Sequence, residues 1–149
     1  MVCPECLSRE YRPVDGATTQ TVYACSGCGH REEQFSKTVY ICSPLRGNDR
    51  LSMEQHLQLA KDLSRWVKVE QRRIPLTPHL YFTTFLDDDI PEERELGMAG
   101  GRALLGLVDE VYIFPLNGYI SEGMRAEMEH LDRLGKAYRI LDIPQEFLP

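Results

Sequence analysis

Residues 109–141 read DEVYIFPLNGYISEGMRAEMEHLDRLGKAYRIL, and this stretch decides the fold. It contains an apolar run, VYIF at 111–114, of the kind that forms a buried strand. After a short loop, apolar residues recur at helical spacing as far as Gly135, and a second β-type run, KAYRIL, follows at 136–141. A strand, a helix and a strand in this order predict parallel strands joined by a right-handed crossover.

The same alternation extends towards the N-terminus. TVYICS at 38–43 is a short β-rich run, in which Cys42 is expected to be a small core residue. A capping box at Ser52 opens a helix predicted to run to about residue 73, and IPLTPHLYF at 74–82 is a second candidate strand, interrupted by a proline.

A further helix is expected after residue 85, with aspartates as caps and Pro91 in its first turn. The sequence therefore predicts an α/β domain over 37–149, with a parallel sheet flanked by helices. The apolar residues expected to form the buried face of this helix are Leu96, Ala99, Ala103 and Leu107.

Composition limits the classes of protein that fit. The chain has 149 residues, 42% of them hydrophobic and 27% charged, which suits one α/β core with a small appendage. No apolar run approaches the ~18 residues of a membrane span, and no signal peptide pattern is visible, so we expect a cytoplasmic protein without membrane contact. The net charge of −6 argues against wholesale wrapping of nucleic acid, though not against a local contact.

Four of the five cysteines form two C-x-x-C motifs, Cys3 with Cys6 and Cys25 with Cys28, separated by eighteen residues. This spacing is typical of a tetrathiolate zinc site, and it disfavours the alternatives of a redox pair or a disulfide framework. Residues 1–36 are therefore predicted to be a small β-type zinc ribbon with structural Zn²⁺. The ribbon could contact a protein or nucleic acid, but no basic face identifies its partner.

Ser121, Gly123 and Glu127 form the pattern Ser-x-Gly-x-x-x-Glu at the start of the last predicted helix. One interpretation is an ordinary capped helix. The other is an anion site, formed by the Ser121 hydroxyl and the free N–H groups of the first turn, with Gly123 allowing close approach and Glu127 one turn away. The loops SPLRGN, TPHL and PLNGYISEG are expected to meet at the carboxyl edge of the sheet, where such folds bind ligands.

The first loop, ICSPLRGN at 41–48, and the pattern at 121–127 together resemble the nucleoside 2-deoxyribosyltransferase-like superfamily, and especially its 2′-deoxynucleoside 5′-phosphate N-hydrolases. The resemblance covers roughly residues 38–141 and implies a dimeric domain with a flavodoxin- or Rossmann-like sheet. It also implies that Glu127 attacks the anomeric carbon of the sugar and releases the base. Residues implied to bind the nucleotide are Ser43, Arg46, Gly47, His79, Ser121 and Gly123.

The chain departs from this superfamily at one position. The resemblance implies an aspartate about eight residues before Asp109, where this sequence has Gly101. Glu93 or Glu95 could substitute for it, or both could be plain surface charges. The glycine pair at 100–101 could likewise serve close packing or ligand approach, and Arg46 could bind an anion or form a surface ion pair.

Three functions are consistent with these observations. The first is an enzyme that cleaves or transfers the N-glycosidic bond of a nucleotide or nucleoside through Glu127. The second is a non-catalytic nucleotide-sensing module whose ribbon binds a protein or nucleic-acid partner. The third is an interaction protein led by the ribbon, whose α/β domain only dimerises. The glycine at 101 favours the second function over the first, and the Glu127 pattern favours both over the third.

Overall fold

The computed structural model describes residues 5–6, 11–15, 20–35, 37–46 and 51–148. The chain divides into two units, 1–36 and 37–149. No helix in the described part of the chain has both the length and the apolar character needed to cross a membrane.

The N-terminal unit contains a three-stranded antiparallel sheet, in the order β1-β2-β3. Its strands are β1 (Tyr11–Asp15), β2 (Gln20–Cys25) and β3 (Arg31–Phe35). Among the described residues of this unit, Tyr23 and Cys25 form a buried apolar cluster. A chain of this length can bury little apolar surface, which is why units of this size usually need a metal or disulfides to fold.

The C-terminal unit alternates strands with helices around a parallel sheet in the order β5-β4-β6-β7. This confirms the predicted α/β class. Its elements are β4 (Thr38–Cys42), α1 (Met53–Val69), β5 (Ile74–Leu76), α2 (Pro78–Phe82), α3 (Pro91–Leu105), β6 (Glu110–Ile113), α4 (Glu122–Leu134), β7 (Arg139–Ile140) and a short 3₁₀ helix (Gln145–Phe147).

Strand β4 is buried on both faces, which explains its continuous apolar run. Val39 and Ile41 point to one face of the sheet and pack with Leu59, Leu63 and Val67 of α1. Successive side chains of a strand alternate in direction, so Tyr40 and Cys42 point to the other face. There they join a cluster to which α3 and α4 contribute. Helices therefore cover both faces of the sheet.

Local signals set the ends of two helices. The predicted capping box of α1 is present, since the Ser52 hydroxyl accepts a bond from the Gln55 amide and the Gln55 side chain bonds back to the Ser52 amide. At α4, Ser121 is the N-cap, and Gly135 ends the helix in a left-handed conformation at φ 63°.

The predicted strand over 74–82 is wrong in its second half. The strand ends at Leu76, and Pro78 begins the five-residue helix α2. Proline favours the first position of a helix because its missing N–H would have no helical partner there. The predicted aspartate caps are also absent: Ile90 occupies the N-cap position of α3, without a side-chain cap.

The predicted buried face of α3 is wrong as well. Leu96 is 64% exposed and Leu107 is 79% exposed, and Ala99 and Ala103 are exposed too. The helix instead buries Gly101 and Leu105. Small residues face inward because the helix lies close to its neighbours: a Cβ on Gly100 would lie 2.4 Å from Cζ of Phe82.

This contact predicts how alanine at two glycine positions of α3 changes the free energy of unfolding. Alanine at position 100 has to displace the Phe82 ring, an overpacking that costs about 1–3 kcal/mol. Gly97→Ala is the matched control, because its Cβ would meet Leu86 and Phe82 at 3.6 and 3.7 Å, an ordinary contact, and alanine gains up to ~1 kcal/mol of helix propensity. In urea unfolding, we expect Gly100→Ala to be less stable than Gly97→Ala. Equal stabilities would contradict the packing described.

Candidate functional site

An open cleft of about 800 Å³, including solvent at its mouth, lies in the C-terminal unit. Its lining includes Ser43, His79, Gly101, Ser121 and Glu127. The chain leaves β4 towards α1 on one face of the sheet and leaves the adjacent β6 towards α4 on the other face. Such a switch point leaves a crevice at the carboxyl ends of the two strands, and this is where open α/β sheets bind ligands.

The Glu127 carboxylate is held by Tyr40 of β4. The Tyr40 hydroxyl donates a hydrogen bond of 2.6 Å to Oε1 of Glu127, and the buried Cys42 thiol lies close to the same carboxylate. Tyr40 and Cys42 lie two positions apart and therefore point to the same face of the sheet. The half-buried Glu127 is thus oriented from the strand beneath it.

Both partners of Glu127 remain protonated at neutral pH. Burial raises the pKa of Tyr40 well above its ordinary value, and the adjacent negative charge of Glu127 raises it further. Burial and the same carboxylate also raise the pKa of Cys42. Both side chains are therefore neutral beside the Glu127 carboxyl group.

Ser121 and Ser43 place two hydroxyl groups in the lining of the cleft. The Ser121 Oγ accepts a bond of 3.2 Å from the Met124 amide, as an N-cap does. A Cβ on Gly123 would meet only the Ser121 Oγ, at 3.9 Å, so the first turn of α4 is open to a ligand. Ser43 is 1% exposed, and its Oγ makes no hydrogen bond to any described residue. A buried polar atom of this kind is unusual, and a ligand atom would satisfy it.

Arg46 lines the cleft but forms ion pairs within the protein. Its Nε lies 2.5 Å from Oδ2 of Asp88, and its Nη2 lies 2.6 Å from Oδ1 of Asp89. The structure thus shows the ion-pair alternative for this residue, and the same aspartates that were expected to cap α3 supply it. Gly47 lies outside the described residues.

Gly101 lies directly against the carboxylate site. A Cβ at this position would be 3.0 Å from the Tyr40 hydroxyl and 3.7 Å from Oε1 of Glu127. No acidic side chain is therefore supplied from this position. The candidate substitutes are engaged elsewhere: Glu93 accepts a bond from the Asp87 amide at 2.6 Å, and Glu95 pairs with Arg102 at 2.8 Å.

Sequence reasoning missed two arginines of the cleft, Arg94 and Arg102. They line it together with Met98. The three residues are spaced four apart, so they share one face of α3. That spacing is visible in the sequence, but the face predicted to be buried was the wrong one and did not include these residues.

A cysteine cluster lies in the N-terminal unit. The sulfur atoms of Cys6, Cys25 and Cys28 all lie within 4.8 Å of one another, and the 3.5 Å between those of Cys6 and Cys25 is too long for a disulfide. A backbone hydrogen bond from Cys28 leads the effects that lower the pKa of Cys25 to about 7. Cys3 lies outside the described residues.

Comparison with known proteins gives one match. The sequence model of a family described as a domain of unknown function, DUF7768, matches residues 37–141, which span β4 to β7. No curated protein and no solved structure matches the chain.

The site geometry predicts a difference in thiol reactivity. Cys42 is buried with a raised pKa, whereas Cys28 is exposed, and alkylation requires an accessible thiolate. After brief iodoacetamide treatment of the folded protein in EDTA, peptide mapping should find Cys28 modified and Cys42 intact. Cys42 should react only after unfolding. Modification of both at one rate in the folded protein would contradict the described burial.

Proposed function

The chain belongs to the DUF7768 family, and we propose that its α/β unit binds a nucleotide or nucleoside and cleaves or transfers the N-glycosidic bond of a (deoxy)nucleotide, with Glu127 as the nucleophile. One observation carries the proposal. Glu127, oriented by the Tyr40 hydroxyl at 2.6 Å, lines the same cleft as Ser43 and Ser121.

The chemistry suits an anomeric carbon. A carboxylate can attack this carbon as the bond to the base breaks, stabilise the oxocarbenium-like transition state and form a glycosyl ester. Water, or a second base in a transferase, then displaces the ester. The hydrogen bond from Tyr40 restricts the Glu127 side chain, so less orientational freedom is lost when the substrate binds.

The start of α4 suits a phosphate group. Its first amides carry the positive end of the helix dipole, Gly123 leaves room above them, and the buried Ser43 hydroxyl is available. Glu127 lies one turn further along α4, so a phosphate bound at the helix start would hold the sugar close to the carboxylate.

The strand order supports the resemblance to the nucleoside 2-deoxyribosyltransferase-like superfamily. Numbered within the unit, β5-β4-β6-β7 is the order 2-1-3-4, which is that of the first four strands of a flavodoxin-like sheet. We also propose a homodimer, for which two exposed apolar residues offer a surface: Leu96 of α3, at 64% exposure, and Leu107 just after that helix, at 79%.

A nucleotide-sensing module without turnover is the second candidate. It is favoured by Gly101, which supplies no carboxylate beside Glu127. In that case the ribbon would pass the signal to a protein or nucleic-acid partner. Both candidates use the same cleft, so turnover separates them.

We further propose that Cys3, Cys6, Cys25 and Cys28 hold a structural zinc ion. The cluster of three described thiols fits this metal, since zinc prefers thiolates and Cys25 has its pKa lowered to about 7. The ion would link the segment containing Cys6 to the turn after β2, and so support a unit too short to bury a large core.

The zinc proposal is tested by metal content. We expect about one zinc per chain in the wild type, loss of zinc in Cys25→Ser, and retention in the control Cys42→Ser, whose thiol belongs to the other unit. Zinc retention should fall as the pH is lowered, because protons compete for the thiolates. A metal-free wild type, or full retention in Cys25→Ser, would contradict the site.

The proposed reaction is tested by release of free base from a panel of deoxynucleoside monophosphates, ribonucleotides and nucleosides. We expect release by the wild type and a loss on the order of 10³-fold or more in Glu127→Gln, which keeps the side-chain shape but removes the nucleophile. Glu129→Gln is the matched control, because Glu129 is exposed on the same helix.

The outcomes separate the two candidates. If the wild type releases no base from any substrate but its melting temperature rises with added nucleotide, the sensing module is supported instead. Absence of both release and stabilisation would contradict any nucleotide site.

A further inference from the structure

The proposed reaction requires a group that moves protons, and most candidates in and beneath the cleft have another task. Glu127 is the nucleophile. Asp88 is bound by Arg46 at 2.5 Å. Tyr40 donates to Glu127, and both Tyr40 and Cys42 have raised pKa values, so neither releases its proton readily. Apart from arginines, which stay protonated in proteins, the remaining acid–base group among the described lining residues is His79.

The imidazole of His79 is fixed through one nitrogen. Its Nε2 lies 2.6 Å from the carbonyl oxygen of Ser43, at the end of β4. A carbonyl oxygen only accepts hydrogen bonds, so Nε2 carries the proton, and this determines the tautomer. The other nitrogen, Nδ1, makes no hydrogen bond to any residue in the described ranges. It therefore has a lone pair when the ring is neutral and can carry a second proton.

The backbone around His79 is also fixed. The Thr83 hydroxyl donates to the His79 carbonyl at 2.5 Å. The Thr77 hydroxyl, just before α2, lies 2.7 Å from the Ser64 hydroxyl of α1. Pro78, which joins Thr77 to His79, is buried. These contacts hold the ring at the edge of the cleft through both its side chain and its backbone.

Charges of both signs surround His79 across the cleft. None of the lining residues comes from α1. The charged lining residues are Arg46 from the loop after β4, Asp88 from the loop after α2, Arg94 and Arg102 from α3, and Glu127 from α4. The described lining therefore carries charges of both signs.

We propose that His79 is the catalytic acid and base of the reaction at Glu127, transferring the proton through Nδ1; this role rests on the proposed function. In the first step a Glu127 oxygen bonds to the anomeric carbon, and the bond from that carbon to the base nitrogen breaks. The electron pair stays on the base, which takes the Nδ1 proton of the imidazolium. The products are a neutral base, a neutral His79 and a glycosyl ester.

The second step returns the proton. Nδ1 of the neutral His79 removes a proton from water as the water oxygen bonds to the anomeric carbon. The ester bond breaks, and its electron pair returns to Glu127 as the carboxylate. Over both steps one water is consumed, the sugar gains a hydroxyl, the base gains a hydrogen, and both side chains recover their starting states.

The test uses His79→Gln in the full chain. The glutamine Nε2 can still donate to the Ser43 carbonyl, but it cannot exchange a proton. We expect the melting temperature of the variant to equal that of the wild type. Its affinity for a deoxynucleoside monophosphate should stay within about threefold of the wild-type affinity. Base release should fall on the order of 10²–10⁴-fold, with loss of one limb of the pH–rate profile. His130→Gln, on α4 and outside the lining of the cleft, should leave release unchanged.

Leaving-group dependence adds a second readout. The second substrate is a 2-deoxyribosyl 5-phosphate with p-nitrophenol in place of the base, because p-nitrophenolate departs without protonation. On this substrate the first-step rate of His79→Gln should be less than about tenfold below that of the wild type. A uniform defect across leaving groups, or a wild-type rate and pH profile in His79→Gln, would overturn the role. If the variant does not fold, ¹⁵N NMR of the wild-type protein can determine which nitrogen of the neutral His79 ring carries the proton. A neutral ring protonated on Nδ1 would overturn the proposed role.

Failure of this role differs from failure of the reaction itself. Wild-type activity that is lost in Glu127→Gln but kept in His79→Gln overturns only the assignment to His79. A wild type that releases no base from any substrate overturns the reaction, and the role of His79 with it.

Discussion

The hydrogen bond from the Tyr40 hydroxyl to Glu127, at 2.6 Å, organises the α/β unit. It joins the central strand β4 to α4 across the floor of the cleft. Helix α3 packs close to the same bond, since a Cβ at Gly101 would lie 3.0 Å from the Tyr40 hydroxyl. The carboxylate, the strand and both helices thus meet at one contact. A core tyrosine used in this way is part of the packing and of the site at once.

The sequence predicted the elements whose signals are local. Apolar runs identified β4 and β6, a capping box identified the start of α1, and a serine and a glycine bounded α4. It failed where tertiary packing decides the outcome. On α3 the apolar residues at helical spacing are exposed, and glycines face the interior because Phe82 and Tyr40 occupy the space beside them. Hydrophobic periodicity predicts that large apolar residues face the interior. It does not reveal where a helix packs so close to its neighbours that only glycine fits.

The site was predictable in part for the same reason. Ser121 and the glutamate one turn later are visible as a motif, and the structure brings them to one cleft with Ser43 and His79. Long-range partners were not visible: Asp88 and Asp89 bind Arg46 from 42 and 43 positions away. Nor was the bond between His79 and the Ser43 carbonyl, because it depends on α2 starting at Pro78 rather than on a strand continuing through it.

We propose that the phosphate of a nucleotide binds at the start of α4 while its sugar faces Glu127. The decisive measurement is a crystal structure of Glu127→Gln with a 2′-deoxynucleoside 5′-monophosphate, since the variant should bind without turnover. We expect the phosphate within hydrogen-bond distance of Ser121 and the anomeric carbon about 3–3.5 Å from the side chain of residue 127. A nucleotide bound elsewhere, or a side chain at 127 turned away from the sugar, would contradict it.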